Sequence, residues 1–328
     1  MDLDHKIKKR KRYFLKLKKG LINDISKIDV KIHMIQLTGD YLLGELQNVF
    51  KKLAITKPDY SKRSNYYQTI AYLKRKRGTV TVLTLPTQGY IPQCRIDIPN
   101  PTQRLLLKLL KQCPALSVSK AEYTIDIVYP SPQHVRRYFY LLRRYIYIPH
   151  AREIYFYTHD NNLWKSKINM TLYAGPLKIY ERGKDQDKVK YEDSKRGWIY
   201  ETLDRVRLEV TAKREILSKH GLGDLSEFIR SLKFEDIFMK HLLFKRFSPS
   251  ARRVKRQYEH YKTKDREGHG AAFYSEFKDA YRVYKNPAQY LRNVRQFEKF
   301  KKLLVSHIKE FEKKWSTKYS ELEKDIYS

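Results

Sequence analysis

Residues 169–213 read NMTLYAGPLKIYERGKDQDKVKYEDSKRGWIYETLDRVRLEVTAK, and two short runs inside this stretch decide the fold. In LKIYERGK, Leu177, Ile179 and Glu181 alternate with Lys178, Tyr180 and Arg182. In RVRLEVTAK, Val206, Leu208, Val210 and Ala212 alternate with Arg207, Glu209, Thr211 and Lys213. Strand side chains point to opposite faces with period two, so each run predicts a strand with one polar face. Tyr180 falls on the polar face of the first and Glu209 on that of the second. Lys178, Arg182, Arg207 and Lys213 surround them with positive charge and are candidates for binding nucleic-acid phosphates. A phenol, a carboxylate and cations on an open sheet face are the groups that a tyrosine nucleophile acting on a phosphodiester needs.

Upstream, helix and strand patterns alternate irregularly. Lys27–Leu37 predicts a strand, with Ile28, Val30, Ile32 and Met34 on one face and Asp29, Lys31, His33 and Ile35 on the other. Asp40–Ala54 has helical apolar spacing and an N-cap candidate in Asp40. Thr79–Leu85 (TVTVLTL) is β-branched and ends at Pro86; Cys94–Pro99 is a further strand. Asn100–Cys113 predicts a helix with Pro101 in its first turn. AEYTIDIVY at 121–129 is a strong strand, in which Asp126 is costly to bury without a partner or a cation. Pro132–Tyr147 reads as a basic amphipathic helix whose Arg136, Arg137, Arg143 and Arg144 are phosphate-facing candidates. Glu153–His159 and Lys167–Leu172 predict a hairpin around HDNN. Mixed order with hairpins predicts an α+β fold: a largely antiparallel sheet, helices on one face, the other face left for a ligand.

Beyond residue 214 the helical pattern takes over. Glu215–Ser226 starts a helix-rich region that continues through Ser250–Lys264, and Ala271–Tyr284 and Gln289–Lys314 are further helical patterns, the last with Phe297, Phe300, Leu304, Ile308 and Phe311 at 3–4 spacing. The expected organisation is a catalytic half at 1–230 and a helical, basic C-terminal domain at 231–328.

Charge narrows the partners. The chain carries 69 Lys+Arg against 36 Asp+Glu, a formal charge of +33 spread along its length. Such a field concentrates polyanions, with nucleic acid the first candidate and an anionic membrane surface the second. Hydrophobic residues at 41% argue for folded cores and against disorder. Cys94 and Cys113 are too few for a disulfide framework or a zinc site, which points to a reducing compartment. The first 20 residues are basic without an apolar core, unlike a signal peptide. No run approaches the ~18 apolar residues of a membrane span.

Three segments in order, AEYTIDIVY, TLYAG with LKIYERGKD, and RVRLEVTAKREILSKHGL, resemble rolling-circle replication initiation endonucleases. The resemblance is to the gene II proteins of filamentous phages and related plasmid initiators, and it covers roughly residues 120–230. It implies an enzyme that nicks one DNA strand at an origin and rejoins the ends. Tyr180 would be the nucleophile, Lys184 a basic residue beside it, and Asp126 and Glu209 the acidic residues of a Mg²⁺ or Mn²⁺ site. It also implies single-stranded or supercoiled origin DNA as substrate, a host helicase and polymerase as partners, and the bacterial cytoplasm as location. The sequence departs from the family pattern in Thr124, where Arg is common, and in lacking a His-hydrophobic-His metal motif.

The chemistry is coherent. A tyrosinate attacking phosphorus leaves a 3′-hydroxyl and a 5′-phosphotyrosyl ester that stores the bond for rejoining. A phenol of pKa ~10 needs help from a cation or nearby Lys or Arg. Ordinary readings stand beside it. Any one of 27 tyrosines is more often packing or stacking than catalytic. Asp126 alone reads as a structural carboxylate and Glu209 alone as a cross-strand ion pair. His33 and His159 could complete a metal site, although a surface or hydrogen-bonded histidine is the commoner case. Two alternatives therefore remain: a relaxase or single-strand transposase with the same chemistry, and a non-enzymatic nucleic-acid-binding protein.

Overall fold

A computed structural model describes residues 22–51, 54–56, 66–75, 78–131, 134–135, 138–139, 142, 146–147, 155–158, 170–181, 205–244 and 287–327. The chain forms two compact units, each assembled from three separated stretches. The fold is α+β, with the strands paired antiparallel wherever their register is defined. Among the described residues, no helix is long and apolar enough to cross a membrane.

One unit comprises 30–125, 209–241 and 307–328. Its strands are β1 (Lys27–Gly39), β2 (Ala54–Thr56), β3 (Tyr67–Leu73), β4 (Val80–Pro86), β5 (Cys94–Pro99), β6 (Ser117–Val128) and β11 (Arg205–Lys213), in the order β2-β3-β4-β5-β1-β6-β11. The β-branched VTVLTLP segment makes β4 because branched side chains pack well on a pleated surface. In β5, Cys94, Ile96 and Ile98 are fully buried. Arg95 and Asp97 alternate with them and pair with one another at 2.8 Å. Gln36 on β1 donates to the same Asp97 carboxylate at 2.9 Å.

Helices cover the apolar side. They are α1 (Leu43–Val49), α2 (Gln103–Gln112), α3 (Arg214–Lys219), α4 (Leu225–Arg230), α5 (Phe234–His241) and the C-terminal end of α6 (Pro287–Tyr327). Thr102 caps α2 by accepting from the Leu105 amide at 3.3 Å. Tyr123 of β6 stands edge-on to Phe234, centroids 5.0 Å apart, and its hydroxyl donates to the Leu232 carbonyl at 3.1 Å. From α6, Phe311 meets Phe234 edge-on and Trp315 donates its indole N–H to the Ile229 carbonyl at 2.7 Å. Tyr123 and Phe234, both fully buried, contribute about 1.5–3 kcal/mol each. The Glu312 carboxylate accepts from the Phe234 and Glu235 amides, closing the orphan donors at the start of α5.

The other unit comprises 1–29, 126–208 and 242–306. It contains β8 (Tyr155–Thr158), β9 (Met170–Ala174) and β10 (Leu177–Glu181), following the ends of β6 and β11 in the order β6-β11-β10-β9-β8. β9 and β10 form a hairpin across Gly175, whose φ of +59° is open to glycine at little cost. A separate pair joins β7 (Ile146–Tyr147) to β12 (Leu243–Phe244). Tyr129 stacks on Tyr138, whose hydroxyl donates to Asp24.

Several expectations need correction. Asp40 is not a helix cap: α1 starts at Leu43, where Glu45 accepts from the Leu42 amide at 2.7 Å, and Ala54 belongs to a strand. Ile146 and Tyr147 are strand, not the end of a helix. The alternation predicted for β1 also breaks. Val30 and Ile32 are buried, and then Ile35 and Leu37. The buried parity thus changes around His33–Met34, as it does where a strand carries one extra residue. The segments expected to be helical at 250–264 and 271–284 lie outside the described residues.

Candidate functional site

The polar faces of β6 and β11 carry the site residues. In β6 every residue from Ala121 to Val128 is buried, so the even-numbered Glu122, Thr124 and Asp126 are buried polar groups. In β11 the same holds for Arg207, Glu209 and Thr211. Burying charge in this way costs several kcal/mol per ion unless a partner compensates it. Each unit meets that demand in its own way.

In the unit containing residues 126–208, Asp126 is 1% exposed and Arg207 2%. The guanidinium donates Nε–H to one Asp126 oxygen at 2.6 Å and Nη2–H to the other at 2.8 Å. Arg205 adds a cation at 3.6 Å. This is the fork-to-fork geometry of a strong ion pair. Arg207, expected to face phosphate, is instead enclosed with its guanidinium committed to Asp126. Asp126, expected beside Glu209 as the second acidic metal residue, presents both oxygens to that arginine. In the same unit Leu177 and Ile179 of β10 are fully buried, while Lys178 and Tyr180 are half-buried on the opposite parity. Tyr180 pairs across the hairpin with Thr171, and Lys178 with Tyr173.

In the other unit, His33 of β1, Glu122 of β6 and Glu209 of β11 converge. One ligand atom of each lies within 4.8 Å of the others. Glu122 is 7% exposed and Glu209 3%. Lys120 pairs with Glu122 at 2.7 Å. Two carboxylates brought this close favour a cation between them. A metal with ~2.1 Å bonds holds its ligands within about 4.2 Å of each other, so a small rotamer adjustment would close the set. The donors, one imidazole nitrogen and two carboxylates, fit a divalent metal of intermediate hardness such as Mn²⁺; Mg²⁺ would favour the two carboxylates. Glu122 was not singled out in the sequence. Its signal is the even parity it shares with Asp126 in an otherwise apolar strand.

Lys213 is exposed at the end of β11. Arg136, Arg137, Arg143, Arg144, His159, Arg182 and Lys184 lie outside the described residues. Among the described thiols, both Cys94 and Cys113 are free and buried, and burial pushes Cys94 up to about 11. They are inert packing groups.

No protein-family model matches the sequence, and no curated protein matches it. Among solved structures, the chain is similar to that of a rolling circle replication initiator protein from Geobacillus stearothermophilus. The likeness has 8% identity and a TM-score of 0.42, over 68% of this chain and 89% of that chain.

Proposed function

We propose that the protein is a DNA strand-nicking and joining enzyme of the replication-initiator kind, with Tyr180 as nucleophile; His33, Glu122 and Glu209, which belong to the other unit, are proposed to hold a divalent metal. The observation that carries this reading is the convergence of an imidazole and two buried carboxylates on the polar side of adjacent strands. The +33 charge suits a nucleic-acid substrate, and the three sequence segments that resemble the initiators include both Glu122 and Glu209.

In this mechanism the Tyr180 oxygen forms a bond to phosphorus while the bond to the 3′-oxygen breaks. The 3′-oxygen leaves as a hydroxyl after taking a proton, and the 5′ end stays on the enzyme as a phosphotyrosyl ester. Reversal of the same step rejoins the strand. A divalent metal held by His33, Glu122 and Glu209 would supply charge neutralisation for a phosphodiester. Lys178 is a candidate for lowering the cost of the phenolate, and Lys184 a second. Lys213 and the arginines at 136, 137, 143 and 144 are proposed to bind backbone phosphates. Asp126 and Arg207 are assigned the support of the strand pair and not the chemistry. An origin for replication as the target, with a helicase and polymerase as partners, belongs to the same proposal.

Incubating single-stranded or supercoiled DNA with the protein and Mn²⁺ or Mg²⁺ tests the reading. A covalent protein–DNA adduct is expected from the wild type and none from Tyr180→Phe. A chain that binds DNA but never forms the adduct would be a binding protein instead.

A further inference from the structure

A cleft of about 370 Å³ opens in the unit that holds the metal candidates, between β1, the first turn of α2 and the end of α6. It exists because β5 stops pairing with β1 at Met34↔Pro99 and the chain turns away at Asn100, whose amide donates to the His33 carbonyl at 2.7 Å. Lys31, Lys314 and Lys318 stand around the cleft, and Phe311 and Trp315 form its apolar wall.

We propose that this cleft holds one nucleotide of a single DNA strand, its phosphate among Lys31, Lys314 and Lys318 and its base against Phe311 and Trp315. The inference rests on the reading of DNA as substrate. The volume lies at the lower end of small-molecule sites, the size range of one nucleotide. Aromatic surface with lysines alongside is the combination that binds single strands without reading sequence: every base has a face to stack, and every phosphate a charge. The wall is preorganised. Trp315 is fixed by its N–H on the Ile229 carbonyl, its own carbonyl accepts the Gln103 amide at 2.7 Å, and Phe311 lies 6.0 Å from its ring. Fixing these groups in advance lowers the ordering cost of binding. Lys314 is paired with Glu310 at 2.6 Å, but both are exposed, and a phosphate can replace such a surface partner. The cleft also has a defined place relative to the metal candidates. Lys31 and His33 are two residues apart on one strand, roughly 7 Å, so a strand in the cleft has its neighbouring phosphate within reach of His33.

The test is binding without cleavage, in chelator, of a fluorescein-labelled oligothymidine of about twelve nucleotides. A Lys314→Glu/Lys318→Glu pair is compared with a Lys108→Glu/Lys313→Glu pair of equal charge change, both exposed in the same unit and outside the cleft lining. The cleft pair is expected to weaken binding about tenfold more than the control pair and to lower the salt slope by about 1.4, two contacts' worth. Ultraviolet cross-linking of a 5-iodouracil oligonucleotide to the wild type is expected to label Trp315 or Phe311. Equal losses in the two pairs, or cross-links found only elsewhere, would overturn the proposal. Because no metal or cleavage is involved, a protein that binds through the cleft yet forms no covalent adduct would refute the nuclease reading and leave this one standing.

Discussion

Asp126 and Glu209 are two carboxylates with the same sequence signature, each a single acid on the polar parity of a buried strand, and their surroundings differ. Asp126 meets a guanidinium that satisfies both of its oxygens. Glu209 meets a second carboxylate, Glu122, and an imidazole, His33. The first arrangement is electrostatically closed. The second gathers two carboxylates and an imidazole, with Lys120 beside Glu122, and these are donor types that a divalent cation takes. Burial alone therefore does not separate these two acids; the sign of what faces each does.

The largest effect that would break this comparison is on stability. Asp126→Ala is expected to lower the free energy of unfolding by about 3–5 kcal/mol, because it leaves Arg207 as an uncompensated buried cation. Urea titration measures it, and Mn²⁺ affinity of the folded variant should change little. Next comes the opposite phenotype. Glu209→Gln is expected to reduce Mn²⁺ affinity by about 100-fold, read by calorimetry, while stability changes by less than about 1 kcal/mol. If Asp126→Ala abolished metal binding while Glu209→Gln did not, the two roles would be reversed.

The smallest effect concerns a third carboxylate that lies between these cases. Glu312 is half-buried, and burial raises it above its ordinary value of 4.5, against the lowering from the Glu235 and Phe234 amides. A raised carboxyl contributes stability that is complete below pH 4.5 and is lost as pH rises through the shifted value. Glu312→Gln should therefore flatten the stability–pH curve just above pH 4.5, measured by thermal unfolding across that range.

The elements built on strong local periodicity were legible from sequence. β5 falls at Cys94–Pro99 as predicted, β11 covers RVRLEVTAK, and the 3–4 spacing of Phe297 to Phe311 lies in α6. What local periodicity cannot carry is long-range partnership. The Asp126–Arg207 pair joins residues 81 apart in sequence, and nothing near either residue distinguishes an acid that will face arginine from one that will face a second acid. Glu122 was hidden for the same reason, as was the change of parity that interrupts the alternation of β1 at His33. The polar parity of Tyr180 could be read because Leu177 and Ile179, two residues apart, set the buried parity opposite to it.

The most direct test of the central claim is to digest the metal-dependent protein–DNA adduct and map the modified residue by mass spectrometry. The account predicts a nucleotide joined through a 5′-phosphate to the Tyr180 oxygen, formed with Mn²⁺ and lost on chelation or in Glu209→Gln. An adduct on another residue, or one that forms undiminished in Tyr180→Phe, would contradict it.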